Sequence, residues 1–233
     1  MGIFQACDIR GLAGQELTGP LTHKIALAVG SQLAGKDVVV GGDVRLSTPE
    51  LKQIVTAGLA AWGCRVFDIG IVATPVFYYA LRTLSAAGGV MVTASHNPAP
   101  YNGFKLVLGP QPVTEADIAA IARLVAEDIR PRPPRMGTIE PVTVTRGYLD
   151  HTAQLARPGR LRVVIDAGHG STGPLAPELF RRMGYEVVEL YCRPDGSFPH
   201  RPPNPALAEN LAALGEAVLA SHADLGIGQH RLP

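Results

Sequence analysis

The feature that most constrains the fold is an order of elements that occurs twice: an apolar run, a glycine-rich turn, a stretch with helical periodicity, a glycine and another apolar run. In the first copy, residues 38–40 are three valines, and residues 49–62 carry apolar side chains at the spacing of a one-sided helix. Thr48 is the predicted N-cap, Gly63 the predicted stop, and residues 64–69 the next strand. This order predicts a β-α-β unit.

The second copy begins with the apolar residues 163–165, which are followed by the glycine-rich turn 166–173. A helix is predicted over residues 174–183 and a strand over residues 186–190. The turn lacks the lysine of a Walker loop and the glycine spacing of a dinucleotide site, so nucleotide binding is not expected there. Two such copies predict two related α/β units, and their period is too long for a solenoid.

A second set of signals connects the two copies. Thr114 is a predicted helix cap, and the proline-rich residues 130–141 cannot form a helix. A solvated linker is the commoner use of such a segment. Because the segment contains arginines, anion binding remains an alternative. We place a domain boundary near Thr145, and we expect a helix near residues 207–220 and a strand at residues 223–227.

Composition excludes several classes of function. The chain has 233 residues, a net charge of +1 and 46% hydrophobic residues, which is typical of a globular protein. Such a charge gives no basis for binding nucleic acid or an anionic membrane. The N-terminus shows no signal-peptide pattern and no run is long enough to span a membrane. Three scattered cysteines, Cys7, Cys64 and Cys192, favour a reducing cytoplasm.

The densest polar motif follows a short apolar run that ends at Val92. Residues 95–98 read Ser-His-Asn-Pro, and Lys105 follows ten positions after Ser95. Asn-Pro and Asn-Gly are common turn dipeptides, so an ordinary turn is one interpretation. A strand leading into a tight polar loop is also how a scaffold presents a single hydroxyl. A serine hydroxyl becomes a nucleophile for phosphoryl transfer when a base takes its proton and cations neutralise the phosphoryl charge.

Four motifs together resemble those of the α-D-phosphohexomutases. The loop Thr-Ala-Ser-His-Asn-Pro at residues 93–98, with Tyr-Asn-Gly-Phe-Lys at residues 101–105, is similar to the active-site serine loop of that family. Residues 8–11, Asp-Ile-Arg-Gly, and residues 41–47, Gly-Gly-Asp-Val-Arg-Leu-Ser, resemble two further family elements. The tail of the serine loop is closest to the phosphomannomutase/phosphoglucomutase branch.

The resemblance implies roles for individual residues. Ser95 is the expected phosphoserine, Lys105 the general acid/base, and His96 a further catalytic residue of the loop. Arg10 and Asn97 are expected to bind phosphate or substrate. The substrates implied are hexose phosphates and hexose 1,6-bisphosphate, with no nucleic acid and no membrane as partner.

Two other residues are expected to act as supports. Asp43 and Arg45 are predicted to pair and to orient the serine loop, and a direct catalytic role is less expected for them.

The chain also departs from the family pattern, because Cys7 replaces a tyrosine and Gln5 a basic residue. The turn 166–173 is expected to be structural, with His169 a loop residue without a metal partner.

The family implies Mg²⁺, held by an Asp-Gly-Asp-x-Asp-Arg loop after a strand. Here residues 223–228 match the approach to that loop, but residues 229–233 read Gln-His-Arg-Leu-Pro. The three ligand aspartates are absent, so only the phosphate on Ser95 remains as an expected ligand. Asp224 belongs to the approaching strand and is not expected to bind metal.

The resemblance therefore predicts an α/β fold of two consecutive α/β/α domains with mixed sheets. Domain 1 is expected over residues 1–145, with the phosphoserine loop, and a truncated domain 2 over residues 146–233. The implied activity is an isomerase that interconverts hexose 6-phosphate and hexose 1-phosphate, with mannose or glucose as the sugar. The alternative is a truncated, inactive remnant that acts at most as a binding module, and turnover by this chain alone is expected to be absent or very low.

Overall fold

The structure, a computed structural model, describes residues 2–131, 135–155 and 159–228. Within these residues, nine strands and seven α-helices form two compact units. Unit 1 contains the residues up to 94 together with 100–143, and unit 2 contains residues 95–99 together with those from 144 onward. The mixed α/β class predicted from the sequence is confirmed. The division into domains at residue 145 stays a prediction.

Unit 1 is built on a mixed sheet. In its described part, six strands lie in the order β1-β5-β4-β2-β3-β6, with β5 antiparallel to both β1 and β4 and the other pairs parallel. The strands are β1 (Ile9–Leu12), β2 (Asp37–Gly42), β3 (Arg65–Ile71), β4 (Gly88–Val92), β5 (Tyr101–Val107) and β6 (Ile139–Pro141). The helices are α1 (Gly19–Gln32), α2 (Thr48–Ala61), α3 (Thr74–Thr83) and α4 (Glu115–Ala126).

The valines of β2 show why this sheet is covered on both faces. Val38 and Val40 belong to a core cluster that includes residues of α1, α2 and α4. Val39 points to the opposite face, because successive side chains of a strand alternate, and it is also fully buried. Helix α3 contacts β2 and covers that second face. A continuous β-branched run is the expected pattern for a strand buried on both sides.

The helix boundaries differ slightly from the prediction. Helix α2 begins at Thr48 and not after it, so the residue that precedes the helix is Ser47. The Thr48 hydroxyl donates a hydrogen bond to Asp43 Oδ1 at 2.9 Å, which is a tertiary contact and not a cap. Gly63 has a φ of 77°, the left-handed conformation that ends a helix without steric cost, as predicted. The Thr114 cap is confirmed, with Asp117 completing a capping box.

The proline-rich segment contains a strand that the sequence did not predict. Ile139–Pro141 forms β6 and pairs in parallel with β3 at the edge of the sheet. Proline is tolerated on an edge strand because its missing N–H is not needed by a further neighbour. Residues 132–134, which include Pro133 and Pro134, lie outside the described residues.

Unit 2 has a smaller, parallel sheet. In its described part, three strands lie in the order β8-β7-β9. The strands are β7 (Arg162–Asp166), β8 (Glu186–Leu190) and β9 (Leu225–Gly228), and the helices are α5 (Thr145–Leu155), α6 (Ala176–Arg182) and α7 (Ala212–Ser221), with a 3-10 turn at Ala208–Leu211. The predicted helices and strands are thus present: β8 has its predicted bounds, and the other ends differ by up to five residues. None of the helices in the described part of the chain combines the length and apolar character that a membrane span requires.

The three cysteines differ in their surroundings, which allows a test of the fold. Cys7 is exposed, whereas Cys64 and Cys192 are buried. Burial raises the pKa of the Cys64 thiol, and it raises the pKa of Cys192 to about 11. A raised pKa lowers the thiolate fraction at a given pH, and the thiolate is the reactive form.

We therefore expect iodoacetamide at pH 8 to modify Cys7 in the native chain and to leave Cys64 and Cys192 unmodified. Mass spectrometry of tryptic peptides measures this, and denaturation in urea should make all three thiols reactive. Rapid native modification of Cys192 would contradict the packing of unit 2.

Candidate functional site

The serine loop leaves the sheet of unit 1 where two parallel strands end side by side. Strands β2 and β4 pair up to Gly42 and Val92, and the Asp43 N–H donates to the Val92 carbonyl at 2.9 Å. Thr93 follows directly after β4, and its hydroxyl donates a hydrogen bond to Asp43 Oδ2 at 2.7 Å. The carboxyl ends of parallel strands are where open α/β sheets place their binding residues.

Asp43 and Arg45 form the pair that was predicted. The Asp43 carboxylate accepts hydrogen bonds from Arg45 Nε at 3.1 Å and from the Arg45 backbone N–H at 3.0 Å. Arg45 Nη1 donates to the Tyr101 carbonyl at 2.9 Å. Thr93 and Tyr101 flank the serine loop, so the pair contacts the chain on both sides of that loop.

The Arg45 guanidinium is deeply buried, with 0% of its side chain exposed. Burial lowers the pKa of Arg45 from its ordinary value, and the adjacent Asp43 carboxylate opposes that shift. Arginine stays protonated in proteins all the same, so its charge needs the carboxylate beside it.

Arg10 and Lys105 lie on two neighbouring antiparallel strands and share one carboxylate. Asp8 Oδ2 accepts from Arg10 Nε at 2.9 Å and from Arg10 Nη2 at 2.5 Å. The same oxygen lies 3.4 Å from Lys105 Nζ. The structure therefore brings together two of the cations that the sequence analysis assigned to the site.

The strand register relates these cations to the start of the serine loop. Gly103 is the Cα partner of Arg10, and its carbonyl accepts from the Thr93 N–H at 2.9 Å. Arg10, Gly103 and Thr93 thus form a row across three strands. Two peptide units span at most about 7 Å, so the Cα atom of Ser95 lies within that distance of the Cα atom of Thr93.

Ser95 itself has an unusual backbone. Its φ is 57°, in the left-handed region that non-glycine residues seldom adopt. Its side chain is half-buried, as are those of His96 and Asn97, which follow it in the loop. Residues held in sparsely populated conformations cluster at active sites and ligand-binding loops.

His169 belongs to unit 2 and has polar partners there. Its Nδ1 lies 2.8 Å from the Arg193 carbonyl and its Nε2 lies 2.7 Å from His200 Nδ1. A carbonyl can only accept, so His169 Nδ1 carries a proton. His200 also stacks on Tyr191, with ring centroids 4.6 Å apart. These contacts connect the turn 166–173 with the loop at residues 191–200.

The residues that the structure describes do not form a magnesium site. Across residues 2–131, 135–155 and 159–228, no group of three or more histidine, cysteine, aspartate or glutamate side chains is placed to hold a metal ion. The Asp224 carboxylate accepts from the Arg162 backbone N–H at 2.7 Å and has a structural role before β9. Residues 229–233, where the family's metal loop was expected, lie outside the described residues.

Three residues near the loop were not singled out from the sequence: Asp8, Thr93 and Asn102. Asn102 is fully buried, and its amide donates to Ser47 Oγ at 2.8 Å and to Thr48 Oγ1 at 3.0 Å. All three stand inside the recognised motifs, so the motifs contained the signal. Each also contacts a residue at least 50 positions away, namely Lys105, Asp43 and Ser47 in that order, and only the folded sheet brings these together.

Comparison with known proteins identifies the family of the chain. Sequence models of the phosphoglucomutase/phosphomannomutase α/β/α domains I and II match residues 1–131 and 146–229. The chain belongs to this family. The predicted resemblance to the phosphomannomutase/phosphoglucomutase branch is therefore confirmed.

Individual members of the phosphoglucomutase/phosphomannomutase family are similar over nearly the whole chain. A phosphomannomutase/phosphoglucomutase of Pseudomonas aeruginosa is 40% identical over 97% of this chain and 49% of its own length, and a phosphoglucomutase of Neisseria gonorrhoeae is 36% identical over 97% of this chain and 50% of its own. The crystal structure of a family protein from Burkholderia thailandensis superimposes with a TM-score of 0.89 and 37% identity, covering 96% of this chain and 51% of that chain. The chain thus spans about half the length of the curated relatives it matches.

Proposed function

We propose that this chain carries the phosphoserine site of a phosphohexomutase, in which Ser95 accepts a phosphoryl group from a hexose 1,6-bisphosphate and returns it to a hexose monophosphate. Mannose and glucose phosphates are the proposed substrates, because the relatives are named phosphomannomutases and phosphoglucomutases. The observation that carries the proposal is the placement of Arg10 on β1 and Lys105 on β5 around one buried carboxylate, with β5 pairing with the strand that leads into the serine loop.

The proposed transfer begins with attack by Ser95 Oγ on the phosphorus of the bisphosphate. The bond from phosphorus to the serine oxygen forms while the bond to the sugar oxygen breaks. We propose that the neutral amine of Lys105 takes the serine hydroxyl proton, that the resulting ammonium group pairs with Asp8, and that this proton then passes to the released sugar oxygen. The return step is the reverse reaction at the other sugar hydroxyl.

Positive charge is needed throughout this reaction. A phosphoserine carries about −1.5 to −2 charges at neutral pH, and phosphoryl transfer depends mainly on positioning and charge neutralisation. Arg10 is the proposed phosphate partner, because its guanidinium can form two parallel hydrogen bonds to phosphate oxygens. His96 and Asn97 are proposed to line the site from the loop, and Asp43 with Arg45 to hold the loop in place.

Incubation with glucose 1,6-bisphosphate tests the proposal. We expect a phosphate on the tryptic peptide that contains Ser95, detected by mass spectrometry, and no phosphate on this peptide in the Ser95→Ala variant. Ser85→Ala is a matched control, because Ser85 is an exposed serine of unit 1 that also has a left-handed backbone, with a φ of 51°. This variant should be labelled as fast as the wild type.

A second function, phosphate binding without transfer, is favoured by one observation, which is that the described residues hold no cluster of metal ligands. The same experiment separates the two functions. A chain that binds the bisphosphate in calorimetry, but never acquires phosphate at Ser95, is a binding module and not a mutase.

A further inference from the structure

Asp8 lies directly before β1, which pairs with the strand that carries Lys105. The pairing of β1 with β5 begins at Ile9 and Phe104, the chain neighbours of Asp8 and Lys105. Arg10 and Lys105 both contact the Asp8 carboxylate. The three side chains therefore meet at one place on the sheet.

The side chains of Asp8, Lys105 and Arg10 are largely shielded from water, which strengthens the electrostatic interactions among them. Only 9% of the Asp8 side chain and 6% of the Lys105 side chain are exposed, against 21% for Arg10. Opposite charges attract more strongly where water is excluded, and a buried charge needs a partner. A single oxygen, Asp8 Oδ2, accepts from both cations.

Arg10 and Lys105 carry like charges, which repel each other, and Asp8 Oδ2 contacts both. Asp8 offsets their repulsion and fixes the direction of each side chain through the hydrogen bonds that it accepts. Arg10 and Lys105 have long side chains with many rotamers, so an anchor at one end restricts where the charged groups lie.

We propose, on the basis of the phosphoserine function proposed above, that Asp8 is a positioning residue that keeps Arg10 and Lys105 aligned for the phosphoryl group. Asp8 does not touch the phosphoryl group in this role, because both are negatively charged. Its removal has two opposed effects: the site becomes more positive, which favours an anionic substrate, and the cations lose their alignment, which slows the transfer.

The test measures the rate of Ser95 phosphorylation against the concentration of glucose 1,6-bisphosphate in Asp8→Asn. We expect the maximal rate to fall by roughly 30- to 100-fold, as misplacement of about 1 Å can cause, while the half-saturating concentration stays the same or falls. A purely structural role would instead lower the fraction of folded protein and leave the rate per folded chain unchanged. Trp62 fluorescence measures that fraction.

Two further variants sharpen this test. Asp8→Glu keeps the charge and should recover a rate between those of Asp8→Asn and the wild type. Asp37→Asn is the matched control, since Asp37 is a half-exposed carboxylate 3.8 Å from Arg65 in the same sheet, and it should be labelled at the wild-type rate. If Asp8→Asn does not fold, Asp8→Glu alone tests the positioning role. We then expect the maximal rate of Ser95 phosphorylation to fall by about 10-fold, while the half-saturating concentration of the bisphosphate is unchanged.

The outcomes distinguish the two proposals. A wild-type chain that never acquires phosphate at Ser95 overturns the proposed function, and the role of Asp8 with it. A labelled wild type with an equally fast Asp8→Asn variant overturns the positioning role alone. A raised half-saturating concentration at unchanged maximal rate also overturns it, because that result would mean that Asp8 supports binding and not alignment.

Discussion

Replacement of Asp43 by asparagine is expected to lower the free energy of unfolding of unit 1 by about 3–5 kcal/mol, the range for removing one partner of a buried ion pair. The Arg45 side chain has 0% exposure, and Asp43 is its counter-ion at 3.1 Å. Asparagine is nearly isosteric but carries no charge. Both oxygens of Asp43 accept from Arg45, and the NH2 group that replaces one of them cannot accept a hydrogen bond. The variant therefore keeps the shape of the site and removes the negative charge beside a buried guanidinium.

Urea unfolding followed by Trp62 fluorescence measures this effect, because Trp62 is the single tryptophan and lies in unit 1 directly after α2. Asp37→Asn is the control, since its ion pair with Arg65 is half-exposed and such pairs contribute little. We expect the midpoint of the control to stay near that of the wild type. A loss of less than about 1 kcal/mol in Asp43→Asn, the range of an exposed pair, would show that the pair does not stabilise this unit.

The second large effect is expected in unit 2. Asp166 is fully buried, and its Oδ2 accepts from Arg201 Nε at 2.8 Å while its Oδ1 accepts from the Gly168 N–H at 2.8 Å. Asp166→Asn should cost about 3–5 kcal/mol for the same reason as in unit 1. The described core cluster of unit 2 contains few buried apolar residues, so this loss is a larger share of the unit's stability.

Unfolding of unit 2 is measured by alkylation of Cys192 at increasing urea concentration. In Asp166→Asn, we expect Cys192 to become reactive at lower urea, while the Trp62 transition reports unit 1 separately. Glu178→Gln is the control, because its ion pair with Arg182 is exposed and lies within one helix. If Cys192 becomes reactive at the wild-type urea concentration in Asp166→Asn, the pair with Arg201 is not a major source of stability.

The local elements of this fold follow from local signals. Apolar periodicity predicts α2 and the strands β2, β7 and β8, and the Thr114 capping box marks the start of α4. These signals act over a few residues, so one sequence is enough to detect them. The edge strand β6 was missed because its pairing with β3 comes from tertiary contact and not from strand propensity in a proline-rich segment.

In the candidate site, too, some features follow from local sequence signals and others from long-range contacts. The motifs around Ser95, Arg10 and Asp43 predict the chemistry, since residue type and spacing are properties of the sequence. The contacts of Asp8 with Lys105 and of Thr93 with Asp43 join residues that are 97 and 50 positions apart. No spacing rule predicts such a contact, because it depends on the register of strands that meet only in the folded sheet.

The sequence by itself thus determined the fold class and the family. Only the tertiary structure decided that one buried carboxylate serves both Arg10 and Lys105, and that the Asp43–Arg45 pair contacts both sides of the loop. The physical reason is the range of the interactions: helix periodicity and caps act between near neighbours, whereas buried charges are satisfied by whichever partner the sheet brings beside them.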